Sequence, residues 1–270
     1  MTLPFKHPQP KAGLDAITAL WRDLRTAAAF LTRLPVGPSP LPEDTARPGY
    51  LSRSMAMFPL VGAGVGLAAA LALLGAHGLG LHPLASALFG IAVAVALTGA
   101  LHEDGLADLC DGLGGGRTRE DRLRIMRDSR IGTFGALAIV FSVGLRAAIL
   151  AGMSSPWTAA AALITAGALS RATLPAILRL LPPARDDGMA AEAGRPHTSR
   201  VVAGCIIALI VGLLVVNDRT LAAALLAVGA AATAVALLAR SRLGGHTGDV
   251  LGASQQAAEV AALAAVAVMT

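Results

Sequence analysis

Seven apolar runs dominate this chain: 58–76, 84–101, 134–153, 158–181, 201–216, 221–239 and 250–269. Each is roughly 18 residues long, and at ~1.5 Å per residue a helix of that length crosses a ~30 Å hydrocarbon core with little tilt. The composition agrees: 55% of residues are apolar and 14% are charged, where a soluble domain carries about 25% charge. The expected fold is therefore an all-α polytopic integral membrane protein with about seven transmembrane helices, six and eight being the bounds. Run 201–216 is short, and run 250–269 contains Gln255, Gln256 and Glu259.

Lysine and arginine set the orientation. Eighteen of them lie before residue 58 or in segments 102–133, 182–200 and 240–249, while the alternate loops 77–83, 154–157 and 217–220 hold only Arg219. Arg146, Arg171 and Arg179 fall inside the runs. Basic loops stay on the cytoplasmic side, so the N-terminus and the three long loops are expected to be cytoplasmic, with the chain in a cytoplasmic (inner) membrane. The same charge explains the pI near 10.2 through topology and anionic lipid, and no nucleic-acid-binding motif accompanies it. The first apolar run begins too late for a signal peptide. Cys110 and Cys205 lie on different segments and suggest neither a disulfide framework nor a zinc site.

Residues 1–54 read as a cytoplasmic N-terminal segment and 55–270 as one transmembrane helical catalytic domain. Residues 1–13, with Pro4, Pro8 and Pro10, are expected to lack structure, and Pro35, Pro38, Pro40, Pro42 and Pro48 make 35–49 a loop. Between them, Leu14, Ile17, Trp21, Leu24, Ala28 and Leu31 recur at helical steps beside Arg22, Arg25 and Arg33. That pattern predicts an amphipathic helix lying on the membrane face, with a buried core helix as the alternative. Gly62, Gly64 and Gly66 have the wrong spacing for dinucleotide binding and suit close helix packing. The turn 112–118 is glycine-rich but lacks the lysine and spacing of a P-loop.

Chemistry gathers where the second run ends. Asp104, Asp108 and Asp111 fall at i, i+4 and i+7, one face of a helix, with His102 just before them. Carboxylates that close repel one another unless a cation lies between them, and Mg²⁺ or Mn²⁺ prefers such oxygen ligands. The bland alternative is a solvated acidic helix end. Arg127, Asp128 and Arg130 open the third run, Arg171 is buried in the fourth, and His246, Thr247 and Asp249 open the seventh, with Glu259 further in. Arginines hold phosphate oxygens bidentately. An ionised residue within a span is paired or functional, so Arg171 is expected to face a carboxylate or a polar cavity, with Glu259 as a candidate partner or a metal or substrate contact. Asp249 either completes a metal site or caps its helix. Together these residues suggest metal-assisted transfer of a phosphate ester at the cytoplasmic edge.

At these residues the chain resembles the cobalamin synthase family, the adenosylcobinamide-GDP ribazoletransferases. The resemblance rests on Phe30-Leu31-Thr32-Arg33-Leu34-Pro35-Val36, Phe58-Pro59-Leu60-Val61-Gly62, the 102–112 stretch, Arg127-Asp128-Ser129-Arg130-Ile131-Gly132-Thr133, Ser170-Arg171, and the 244–253 stretch with Glu259. Glu103 departs from a position that is usually hydrophobic, and the first 29 residues form a longer lead-in. The resemblance implies a Mg²⁺-dependent membrane enzyme, with Mn²⁺ as a substitute, that joins α-ribazole or its 5′-phosphate to adenosylcobinamide-GDP and releases GMP. It implies Asp104, Asp108, Asp111 and Asp249 as metal ligands. Arg127, Asp128, Arg130, Arg171, His246, Thr247 and Glu259 would contact substrate, and His102 or an aspartate would act as base. Two rivals are weighed against it. A CDP-alcohol phosphotransferase needs an Ala-Arg pair after Asp-Gly, whereas here Asp104-Gly105-Leu106-Ala107 is followed by Asp108. A cation-coupled transporter needs inverted repeats and midplane charges, and no repeat is visible.

Overall fold

The computed structural model describes residues 12–36 and 50–270. The proline-rich stretch before Ala12 and most of the proline-rich loop after Pro35 lie outside the described residues, as do Lys6, Lys11 and Arg47 among the topogenic charges. Every described element is helical, apart from one isolated parallel bridge between Pro183 and His246.

The first helix, α1 (Ala12–Leu31), divides its tasks along its length. Ala27 and Leu31 near its C-terminus are fully buried against Met55, Phe58, Leu174 and Leu178, whereas Ile17, Leu20 and Trp21 stay more than half exposed. The amphipathic reading and the core reading each hold for one half. Its exposed apolar residues suit the membrane surface.

A short helix, α2 (Tyr50–Ser54), and a 3-10 turn (Met55–Met57) lead into α3 (Phe58–Gly78), with Pro59 in the first turn, where its missing N–H is no loss. Helices α4 (Pro83–Thr98) and α5 (Leu101–Gly115) follow, then α6 (Arg119–Ile125) on the basic loop and α7 (Thr133–Ala151). After them come α8 (Pro156–Leu180), α9 (Met189–Ala193), α10 (Thr198–Val215), α11 (Asp218–Leu243) and α12 (Gly248–Met269). Side-chain caps fix the starts: Thr118 with Asp121 forms a capping box on α6, and Ser155, Asn217 and Thr247 cap α8, α11 and α12.

Among the described residues, six helices are long and apolar enough to cross a membrane, or seven if α4 and α5 count as one broken span. All seven expected runs reappear among them. Burial sorts the bundle. In α8, 78% of the most apolar stretch is buried inside the protein, against 17% in α10 and in α11. Helix α8 is thus the centre, packed on α3 and α12, while α10 and α11 present Leu213, Leu214 and Leu226 outward to lipid. Gly62 and Gly66 of α3 meet α8 so closely that a Cβ on either would overlap its backbone, as their packing role requires; Gly64 faces open space.

The second run does not cross as one helix. It breaks after Thr98, and α5 turns 89° from α4. Gly99 (φ 63°) and Ala100 (φ 58°) are both left-handed, and Ala100 is the single non-glycine residue with positive φ among the described residues. A left-handed alanine costs roughly 1–2 kcal/mol. The arrangement is held by the loop after α1: the Arg33 N–H donates to the Leu97 carbonyl at 2.7 Å, and the Arg33 side chain fills the space a Cβ on Gly99 would take. The turn lays α5 across the N-terminal ends of α7 and α12.

Candidate active site

Two helix N-termini converge. Asp104 stands in the first turn of α5 and Asp249 in the first turn of α12, where the helix dipoles favour negative charge. Gly105 and Gly252 allow the two backbones to touch; a Cβ on Gly105 would lie 3.0 Å from the Asp249 Cα. Asp108, one turn further along α5, lies in the combined field of Asp104, Asp249 and Asp111, opposed by Arg185. Residues 145 apart in sequence, Asp104 and Asp249, thus share one charged pocket.

Asp249 is not the helix cap. The Thr247 hydroxyl oxygen accepts the Val250 N–H at 3.2 Å and its proton goes to the Asp249 carboxylate at 3.1 Å. Thr247, expected to contact substrate, is buried in this capping task.

Asp111 also has a different task from the expected one. Its two oxygens accept the Gly132 N–H at 2.7 Å and the Gly135 N–H at 2.8 Å, and the side chain is buried. It anchors the N-terminus of α7 to α5. The i, i+4, i+7 face exists, but its third member is turned to a neighbouring helix rather than to the cluster. Among the described residues, no three His, Cys, Asp or Glu side chains stand close enough to cage an ion as they are.

The arginines of the 127–133 stretch are paired on the surface. Arg127 grips Asp187 through both carboxylate oxygens at 2.7 and 2.8 Å, and Arg130 grips Asp128 at 3.0 and 2.7 Å. These guanidinium groups hold the Asp187 carboxyl below its usual range and the Asp128 carboxyl at about 2. The arginine nearest the carboxylates is Arg185, which sequence reasoning counted only as a loop charge. It lies 3.6 Å from Asp249 and 3.7 Å from Asp187, and its buried Nη1 has no acceptor among the described residues. It follows Pro182 and Pro183 with no motif around it, so nothing in the sequence singled it out.

A polar network lies deeper, inside the bundle. Arg146 of α7 donates to Glu103 at 3.1 Å and to Glu259 at 3.2 Å, and Arg171 of α8 faces Glu259 at 3.5 Å. Gln256 donates to Glu103 at 3.1 Å and accepts from Ser142 at 2.7 Å, while Gln255 donates to Ser170 at 3.1 Å and to Glu259. Two guanidinium and two carboxylate groups balance, as buried charge demands. Arg171 and Glu259 thus form an interhelical pair, one of the two readings open for them. Glu103, the departure from the family pattern, is matched by Arg146.

The two candidate histidines, His102 and His246, are buried as well. The His246 backbone bridges to Pro182 and Ala184 at 2.9 Å on each side, its Nδ1 has no partner, and burial pushes its imidazole below the usual range. His102 is 3% exposed, and its Nε2 has no partner among the described residues. It helps line a cavity of about 90 Å³ whose other walls are mostly apolar, with Asp104 and Asp249 also in the lining.

The family model described as cobalamin-5-phosphate synthase matches residues 23–267, from within α1 nearly to the end of α12. The chain belongs to the cobalamin-5-phosphate synthase family. The match takes in both halves of the carboxylate pocket, and it starts within the lead-in that precedes the first shared motif. An adenosylcobinamide-GDP ribazoletransferase of Azorhizobium caulinodans is 48% identical over 89% of this chain and 93% of its own. Those of Bradyrhizobium diazoefficiens and Rhizobium etli are 44% and 46% identical, over 93% and 91% of this chain and 95% and 96% of theirs. No solved structure matches the chain significantly.

Proposed function

We propose that this membrane enzyme joins α-ribazole, or its 5′-phosphate, to adenosylcobinamide-GDP and releases GMP, completing the cobalamin nucleotide loop. One observation carries this reading: a carboxylate pocket built by α5 and α12, inside a stretch that the family model matches almost end to end. A free ribose hydroxyl oxygen of the ribazole, one that the 5′-phosphate leaves unesterified, bonds to the phosphorus on the cobinamide side, the bond from that phosphorus to the bridging oxygen breaks, and GMP leaves with the electron pair.

Asp104, Asp108 and Asp249 are the residues to hold Mg²⁺ or Mn²⁺. The donor set fits, because all three supply hard carboxylate oxygens, they repel one another without a cation, and Arg185 is the guanidinium that opposes them. A bound ion would neutralise diphosphate charge and stabilise the departing phosphate. Arg185 offers its unpartnered Nη1 to a non-bridging oxygen, and Arg127 can add a second guanidinium once Asp187 releases it. The proton of the attacking hydroxyl passes to a carboxylate of the pocket. Asp111 keeps α7 docked, and the buried network keeps α12 in register with α5.

The active site faces the cytoplasm of a cell bounded by an inner membrane, as the partition of basic residues supports. Purified protein incubated with adenosylcobinamide-GDP, α-ribazole and Mg²⁺ should release GMP and form a complete corrinoid. Release of CMP from a CDP-alcohol instead, or substrate uptake into proteoliposomes without phosphodiester turnover, would overturn the reading.

A further inference from the structure

We infer that the groove between α1, α3 and the end of α4 seats one anionic phospholipid, its phosphate on Arg25 and an acyl chain along α3, and that this lipid braces the turn at residues 99–100. The groove lies outside the carboxylate pocket, and its occupant takes no part in the reaction.

The groove encloses about 720 Å³, and its wall is almost wholly apolar. Leu60, Gly64 and Ala68 line it at successive turns of α3. Two helical turns cover about 12 Å, most of the ~15 Å that one leaflet contributes to the hydrocarbon core. That length suits an acyl chain lying beside α3. Trp21 of α1 lines the groove too and is 60% exposed, and tryptophan settles at the headgroup level. Arg25, one turn further along α1, is the charged residue of the lining. Its Nε donates to the Val36 carbonyl at 3.0 Å, and among the described residues nothing accepts from its Nη groups. Asp23 is engaged by Arg200 at 3.3 Å, and residues two apart on a helix do not face each other. A half-buried guanidinium beside an apolar groove matches a phosphodiester above an acyl chain. A zwitterionic lipid carries its own cation beside the phosphate and gains less.

The lipid would touch the parts that hold the active-site turn. Leu34, Val36 and Leu97 all line the groove. Among them runs the bond from the Arg33 N–H to the Leu97 carbonyl at 2.7 Å, and the Arg33 side chain lies against Gly99. The Thr32 hydroxyl oxygen accepts the Leu34 N–H at 3.3 Å, which fixes the chain on either side of Arg33. The left-handed Ala100 persists only while its surroundings hold it. An acyl chain packed on Leu34, Val36 and Leu97 keeps the segment after α1 on the end of α4, because parting them would forfeit the packing of all three. The 89° turn then stays in place, and with it the meeting of Asp104 and Asp249.

Trp21 and Trp157 are the two tryptophans of the chain, so Trp157→Phe leaves Trp21 as the reporter in the groove. The full-length protein on that background, in detergent, is titrated with phosphatidylglycerol or phosphatidylcholine brominated near the top of one acyl chain, and quenching of Trp21 is read. Half-maximal quenching should come at about fivefold less phosphatidylglycerol, the effect of one arginine at a membrane surface. Arg25→Gln should equalise the two lipids. Gly64→Leu should abolish most quenching by both, since a Cβ there meets nothing within 4 Å and the side chain fills the groove without disturbing the fold. Gly144→Leu, at an equally open glycine on α7, should leave the titration unchanged. Bracing is read by hydrogen exchange: phosphatidylglycerol should slow the Arg33 amide several-fold more than phosphatidylcholine in the reporter protein, and no more than it in Arg25→Gln. Equal quenching by the two lipids before Arg25 is changed, or undiminished quenching in Gly64→Leu, would assign the groove to ordinary bilayer lipid or to residues 37–49 and overturn the inference. Arg33 exchange indifferent to the headgroup would overturn the bracing. None of these readouts needs turnover, so they stand apart from the proposed reaction.

Discussion

Asp111→Asn separates an anchor from a metal ligand. The carboxylate receives two backbone N–H groups from the first turn of α7, at 2.7 and 2.8 Å, in a buried position. An amide keeps one acceptor oxygen and turns an NH₂ toward the other N–H. One charge-assisted bond is lost, worth about 1.5–3 kcal/mol, and so is the favourable anion at the helix N-terminus, worth about 0.3–1 kcal/mol. The sum is a destabilisation of about 2–4 kcal/mol, or a fall of roughly 5–15 °C in the thermal midpoint of a domain this size. The assay is a thermal unfolding curve of the detergent-solubilised protein beside a Mg²⁺ titration of its activity at a temperature where the variant is folded. The anchor reading expects a lower midpoint and an unchanged half-saturating Mg²⁺ concentration. An unchanged midpoint with half-saturation moved up by tenfold or more would refute it and return Asp111 to the metal site.

Other consequences are equally direct. Arg185→Gln removes the guanidinium nearest the carboxylates, and losing a charge-assisted bond of about 1.5–3 kcal/mol should raise KM for adenosylcobinamide-GDP by roughly 10- to 100-fold; unaltered kinetics would remove Arg185 from the site. Arg146→Leu leaves Glu103 buried without its cation and should cost about 3–5 kcal/mol of stability, while Glu103→Leu with Arg146→Leu should recover most of it, and a double variant no better than the single one would show that the pair is not coupled. On a cysteine-free background, a membrane-impermeant thiol reagent added to intact cells should label cysteines placed at Ser155 and Asp218, but not those at Thr118 and Ser199. Labelling at Thr118 would put the site on the outer face.

The spans were legible because hydrophobic length alone specifies them, and all seven runs became helices. The break in the second was not: Gly99-Ala100 reads as ordinary packing residues, and an alanine gives no local sign that its backbone will be left-handed. The site was half legible. Asp104, Asp108 and Asp249 were visible as carboxylates at span ends, but their meeting depends on the turn at residues 99–100, a tertiary fact. Asp111 shares their helix face, and its bonds to the Gly132 and Gly135 N–H groups were not legible because spacing does not show which neighbouring helix will claim a side chain. Charged residues inside spans announced the buried network, and Glu259 was a ready partner for Arg171. Arg146 was seen only as a charge in a span, and Glu103 only as a departure from pattern, because neither shows its partner along the chain. Arg185 carried no signal beyond its charge.

The central claim is that α5 and α12 together build one divalent-metal site. Mn²⁺ binding followed by electron paramagnetic resonance tests it most directly, on wild type, Asp104→Asn, Asp249→Asn and Asp111→Asn, each in the presence of an adenosylcobinamide-GDP analogue with an uncleavable methylene in place of the bridging oxygen. The account predicts bound Mn²⁺ in wild type and in Asp111→Asn, and loss of most of it when either Asp104 or Asp249 is neutralised. Undiminished Mn²⁺ binding in Asp249→Asn would contradict the account, because the metal would then belong to one helix alone.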